Sequence, residues 1–261
     1  PWLPAVGDGA CSNVGAGCIA PDRIALMVGT SGAMRVCWAT DTFTVPPGLW
    51  CYRVDRRRIL LGGALSNGGN LYAWLAETLR LGSSEETERA VAAMEADGHG
   101  LTVLPFLAGE RSPGWMAGAR AAIAGLRLAT TPLDIVRAGL EAVAYRFALI
   151  HAILAEACPQ ADEVVATGGA LAKSPAWTQI LADVLGVPLR PSAEAEGSSR
   201  GAALLALEAL GLLPSLDAAP ARFGPTVAPD AARHARYQDG VARQRQLYDA
   251  LIPFYRGRPL P

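Results

Sequence analysis

No excess of either charge is present in this sequence: Lys and Arg total 23 against 24 Asp and Glu, for a net charge of -1. With a pI near 6.4, the chain has no general electrostatic draw toward nucleic acid or an anionic membrane surface. It also lacks a C-x-x-C pair. Cys11, Cys18, Cys37, Cys51 and Cys158 are odd in number and irregularly spaced, which argues against a disulfide framework and a thiolate zinc site and fits a reducing cytoplasm. No apolar run approaches bilayer-spanning length, no charged-then-apolar leader is seen, and no internal repeat keeps a fixed period. The first residue is Pro1 rather than Met, and Gly7-Asp8-Gly9 follows almost at once. The expectation is a fragment or processed product of a longer protein.

What remains is an ordinary globular composition. The chain is 51% hydrophobic and 18% charged over 261 residues, enough to bury a sizeable core and too apolar for disorder. Its organising stretch is Gly29-Thr30-Ser31-Gly32, a small-residue corner between the apolar runs 24–28 and 33–38, which reads as a β-hairpin. Glycines at both ends permit positive φ, and successive N–H groups together with two hydroxyls suit a phosphate. Upstream, Asp8 stands between two glycines ahead of a short helix expected over 10–17. At that helix start a carboxylate is stabilised as an anion, so Asp8 is either a catalytic base or a helix cap.

Apolar runs at 24–28, 34–38, 49–54 and 59–61 predict an antiparallel meander. Arg56-Arg57-Arg58 falls between two of them and reads as a solvated turn, with a phosphate patch as the alternative. Gly68-Gly69 then opens a helix carrying Leu71, Trp74, Leu75 and Leu79 on one face. That glycine pair is either a ligand contact at a helix N-terminus or a place of close helix packing. A charged helix over 84–97 and a strand over 101–106 lead into the polar, aromatic loop 107–115, where Glu110 and Arg111 either serve function or pair with each other or cap neighbouring elements. Thr131-Pro132-Leu133-Asp134 starts the largest buried helix, running to about Ala157; His151 within it reads as a packed or surface residue. A strand over 163–167 ends in Gly168-Gly169-Ala170, followed by Lys173-Ser174-Pro175 and a helix over 176–185. A strand, a glycine pair and a helix place a ligand at the carboxyl-end crevice of an α/β sheet. A short strand over 187–190, a helix from Ser198 to near Gly211, a loop over 217–229, a helix over 230–251 and a frayed tail complete the chain.

Taken in order, Gly7-Asp8-Gly9, Gly29-Thr30-Ser31-Gly32, the stretch 104–113, the stretch 168–175 and Gly201-Ala202-Ala203 resemble the C-terminal half of the FGGY carbohydrate kinases, from Val6 to about Gly211. Within the family, 7–17, 29–35 and 106–115 are most similar to gluconate kinases. The resemblance implies an α/β fold of the actin-like, ribonuclease-H-like kind, with a mixed sheet and flanking helices. Residues 1–261 would form the C-terminal nucleotide-binding domain, with 217–261 an appended loop and helix. It implies ATP and Mg²⁺ as cofactors, a sugar or sugar-acid substrate with gluconate foremost, and an N-terminal sugar-binding domain not included in the chain. Asp8 matches the base that deprotonates the sugar hydroxyl, Thr30 a phosphate contact, Gly69 a nucleotide contact, and Gly169 a contact at the adenosine end. Lys173 falls where relatives often carry asparagine. Gly29, Ser31, Gly32 and Gly168 complete the expected nucleotide-binding set. No metal ligand, nucleic acid or membrane partner is expected, whereas self-association through the surface facing the missing domain is.

Overall fold

The computed structural model describes residues 2–256, so all of the expected frayed tail beyond Arg256 lies outside the described residues. The strands are β1 (Arg23–Val28), β2 (Gly32–Ala39), β3 (Trp50–Arg53), β4 (Arg58–Leu65), β5 (Thr102–Leu104), β6 (Ala122–Ala124), β7 (Glu163–Thr167) and β8 (Leu189–Pro191). The helices are α1 (Asp8–Gly15), α2 (Gly69–Thr78), α3 (Ser84–Ala93), α4 (Pro132–Ala157), α5 (Gly169–Lys173), α6 (Pro175–Leu185), α7 (Gly197–Ala209) and α8 (Ala231–Tyr255).

Six strands form one mixed sheet in the order β3-β4-β2-β1-β7-β8. The expected meander is its antiparallel part, and β7 and β8 extend it in parallel from β1. Strand side chains alternate between faces. Ile24, Leu26, Val28, Met34 and Val36 therefore join α4 and α6 in the main core, while Ala25 and Val165 pack on the opposite face with Ala16 and Cys18. Cys37 and Leu60 meet Ala10 of α1 on that second side.

Helix α4 begins at the predicted place, with a capping box between Thr131 and Asp134. It presses on the sheet where two strand residues lack side chains. A Cβ at Gly32 would lie 2.6 Å from Phe147, and one at Gly63 would lie 2.8 Å from Ile150. Small residues also bring α1 against α7, since a Cβ at Gly15 or Gly201 would meet the carbonyl oxygen of Gly197 or Cys11 at 1.8 Å. This contact fixes where the first turn of α1 points.

Contrary to the sequence expectation, α4 is long and apolar enough to cross a membrane by length and composition. Glu141 and Arg146 interrupt its most apolar window in sequence without lowering the mean hydropathy below that of a spanning helix. Within this fold, 67% of that window is buried against other elements. The strand expected over 101–106 also differs: β5 is three residues long and pairs only with β6, outside the main sheet.

Candidate active site

The corner at 29–32 is held by the start of α2. Gly29 N–H donates to the Ser31 carbonyl oxygen at 2.9 Å, Gly69 N–H to the Gly29 carbonyl at 2.7 Å, and Asn70 N–H to the Thr30 carbonyl at 3.0 Å. Asn70 Oδ1 in turn accepts from Gly68 N–H at 2.9 Å. Neither Gly29 nor Gly32 adopts positive φ, which corrects the expected reason for these glycines. Gly32 makes room for Phe147, and Gly68 and Gly69 make room for the corner itself, because their Cβ atoms would lie 2.7 Å from the Ser31 oxygen and 2.6 Å from the Gly29 oxygen. With those N–H groups engaged, the corner offers its exposed Thr30, whose hydroxyl has no partner among the described residues.

At the end of β7 the glycine pair divides its labour. Gly168 has φ 97° and ψ 148°, a region open essentially to glycine alone, and a Cβ there would meet the Val28 oxygen at 2.3 Å. Gly169 has no left-handed backbone, and a Cβ on it would meet nothing within 4 Å. Protein packing does not account for glycine at 169. The space it leaves open belongs to a cleft of about 780 Å³ lined also by Gly29, Thr30, Gly69, Lys173 and Trp74, within the range of small-molecule sites. Lys173, the only lysine in the chain, is exposed and without a side-chain partner among the described residues. Ser31 and Gly32 shape the corner but do not line this cleft.

Sequence reasoning placed Trp74 on the packed face of α2, whereas it is 42% exposed beside the cleft and only Leu71 and Leu75 are buried. A partly exposed indole next to Tyr72 suits a flat heterocycle. Helical phase gave no warning, since Trp74 stands three residues after Leu71, on the face of the buried pair.

Asp8 lies in a second cavity of about 250 Å³, shared with Ser12, Arg35, Thr167 and Gly168. Gly168 thus faces Asp8's cavity, and its neighbour Gly169 faces the larger cleft. Gly7, not Asp8, is the N-cap of α1, and no side chain caps that end. Asp8 is exposed, and its Oδ1 accepts from the adjacent Gly9 N–H at 2.7 Å.

The loop 107–115 is tied down from below. Glu110, 4% exposed, pairs with Arg146 of α4, accepts from Tyr248 Oη of α8 at 2.6 Å, and accepts from Gly114 N–H at 3.2 Å. It does not pair with Arg111, which stays exposed. A second polar network joins α4 to α8. Glu141 accepts from Arg137 Nε at 2.5 Å and Tyr237 Oη at 3.0 Å, and lies 2.9 Å from His99 Nε2. Asp97, His99 and Glu141 lie close enough together to suggest a metal, but Arg137 occupies Glu141 and Arg243 Nη2 donates to both Asp97 oxygens at 2.5 and 2.6 Å. Burial raises and these partners lower the Glu141 carboxyl, which ends below its ordinary range. His151 is half-buried, and burial pushes its imidazole down, as a packed histidine requires. Of the arginine triplet, Arg56 and Arg57 are exposed in the turn, while Arg58 pairs with Asp55 and Glu208.

This geometry has known counterparts. Residues 24–210 match the FGGY family of carbohydrate kinases, C-terminal domain. A gluconokinase of Bacillus subtilis (strain 168) is 28% identical over 264 residues, covering 97% of this chain and 50% of that protein. A glycerol kinase of Allorhizobium ampelinum is 33% identical over 230 residues, covering 84% and 45%. The crystal structure of a ligand-bound xylulose kinase from Lactobacillus acidophilus superposes with a TM-score of 0.85 at 31% identity, covering 95% of this chain and 51% of that one. The chain spans about half the length of the curated relatives it matches. The fold is the mixed α/β, actin-like and ribonuclease-H-like arrangement of the sugar kinases, and the chain belongs to the FGGY family of carbohydrate kinases, matching its C-terminal domain.

Proposed function

We propose that this chain is the nucleotide-binding half of an ATP-dependent sugar-acid kinase that converts gluconate to 6-phosphogluconate. One observation carries the nucleotide part: Gly169 leaves room that no protein atom uses, on the wall of a cleft that also displays Thr30 and Lys173. Gly29, Thr30, Gly69, Gly169 and Lys173 would hold ATP there, with Ser31, Gly32 and Gly168 fixing the shape of the walls. ATP supplies the phosphoryl group, and Mg²⁺ enters with it; no residue of this chain is assigned as a metal ligand.

The chain's own contribution is positioning and charge, which is most of what phosphoryl transfer requires. Thr30 offers an exposed hydroxyl to a phosphate oxygen, and the clasp between the corner and α2 holds that hydroxyl in place before substrate arrives. Lys173 brings a point charge to the same cleft. Asp8 accepts the proton from the sugar hydroxyl as the new bond forms. It stands on a helix whose position is set by the tight contact with α7. The sugar itself is held largely by the N-terminal domain that accompanies this half in the family, and the setting is cytoplasmic, with self-association of the isolated chain expected.

Similar identity to xylulose and glycerol kinases supports a second reading, a kinase of this family acting on another sugar. The half-length span likewise supports an isolated chain that binds nucleotide without turnover. A coupled ADP-release assay across gluconate, xylulose, ribulose and glycerol, with and without the upstream half, tests all three. The expected result is turnover on gluconate only when both halves are present. A clear preference for xylulose or glycerol would transfer the assignment to that substrate.

A further inference from the structure

Arg35 sits inside the sheet with no carboxylate among the described residues bonded to it. It lies in β2 opposite Ala25 of β1 and Gly62 of β4, on the face that carries α1. Gly62 admits its stem, since a Cβ there would approach Arg35 Cγ to 2.9 Å. The residue is 7% exposed. Its Nη1 donates one long bond, 3.4 Å, to the Gly9 carbonyl oxygen, and its Nε is buried with no partner. The other deeply buried arginines are each matched by a carboxylate, Arg137 by Glu141 and Arg146 by Glu110. A guanidinium has five donors in a planar fork, and burying one unpaired is strongly unfavourable.

Three further features point to an anion as the missing partner. Arg35 lines the same cavity as Asp8, so whatever Asp8 acts on lies within its neighbourhood. Gly9 keeps the first turn of α1 clear of the guanidinium, since a Cβ there would stand 3.3 Å from Arg35 Cζ. Arg111, unpaired among the described residues, is close enough to add a second positive field, set against the negative field of Asp8. Glu194 and Glu196 also line the cavity, but Glu194 is taken up by Arg222 and Arg200.

We infer that Arg35 binds the carboxylate of the phosphoryl acceptor, which makes the acceptor a sugar acid and Arg35 the residue that selects it over neutral sugars. The inference rests on the reading of Asp8 as the base. A carboxylate matches the fork of a guanidinium in two parallel hydrogen bonds, and satisfying a buried unpaired donor set favours the ligand that carries the complementary group over one that lacks it.

The test compares D-gluconate with D-glucitol, which has a CH₂OH in place of the carboxylate, and with inorganic phosphate. Each is titrated into the enzyme carrying both halves while the Arg35 Nε–H resonance is followed by NMR and ATP binding is measured on the same samples. Gluconate should bind at least tenfold tighter than glucitol and shift the Nε–H signal. Arg35→Met should abolish the preference, and Arg35→Lys, which keeps the charge and the fold but loses the fork, should reduce it severalfold, both with unchanged ATP affinity. Equal binding of gluconate and glucitol, or no binding of gluconate, overturns the inference. So does a response to phosphate alone, which would assign Arg35 to the transferred phosphoryl group. ATP binding without a gluconate preference refutes Arg35 and leaves the kinase reading standing; a gluconate preference without ATP binding does the reverse.

Discussion

Adjacent glycines at the end of β7 should respond oppositely to the same substitution. Gly169 opens α5 with ordinary backbone angles and free space at its missing Cβ. Gly169→Ala should therefore stabilise the chain by about 0.4–1 kcal/mol through the unfolded state, raising Tm by about 1–4 °C for a chain of this size. Gly168→Ala meets both a glycine-only conformation and a 2.3 Å contact with the Val28 oxygen. Its conformational cost alone is about 1–3 kcal/mol, a fall of roughly 2–12 °C. Gly169→Phe then separates stability from function, because its ring would extend from an unobstructed Cβ on the wall of the cleft. A tenfold loss of ATP affinity, about 1.4 kcal/mol, is the minimum expected, with Tm close to that of the wild type. Thermal melts and calorimetric ATP titrations read the two quantities independently. If Gly169→Phe bound ATP as tightly as the wild type while remaining folded, the nucleotide would not lie against this wall.

Three further outcomes follow from the buried contacts. Glu141→Gln leaves Arg137 buried without its counter-ion and should cost about 3–5 kcal/mol, read as a lower urea midpoint at pH 7. Because the folded Glu141 carboxyl lies below its ordinary value of about 4.3, its contribution is present above that pH and is lost as the pH falls through the folded value. The wild-type advantage over Glu141→Gln should therefore shrink at progressively acid pH, and an advantage constant down to the wild type's acid unfolding would contradict the assignment. Gly32→Ala should cost about 1–3 kcal/mol by overpacking Phe147, and Phe147→Leu should restore part of it in the double mutant. Glu110→Gln should release the loop 107–115 from Arg146 and Tyr248, seen as faster amide exchange there than in the β1–β2 hairpin.

The legible parts of the fold were those governed by local chemistry. The hairpin around 29–32, the capping box at Thr131 and the glycine turn after β7 each rest on neighbours within a few residues, and each stands where the sequence put it. The partners of Glu110 were not readable, because Arg146 and Tyr248 come from helices far along the chain, and nothing near Glu110 announces them. The short β5 lost its place in the main sheet for a similar reason: its partner β6 follows a long irregular loop with no strand-like run. Arg35 left a fainter trace. It falls at an inward position of an otherwise apolar strand, and a charge there signals either a buried pair or a binding group. Only the structure shows that the pair is missing. Glycine was legible as a type but not as a cause: Gly29 and Gly32 were expected to bend, whereas Gly32 admits a ring and Gly69 admits a carbonyl.

The central claim is that Asp8 takes the proton in a reaction for which this chain holds the nucleotide. It is tested most directly by Asp8→Asn in the enzyme carrying both halves, with ADP release and ATP binding measured on the same protein. Turnover should fall by about 10²–10⁴-fold, the span of a lost general base, with ATP affinity unchanged. Turnover within a few fold of the wild type would contradict the account.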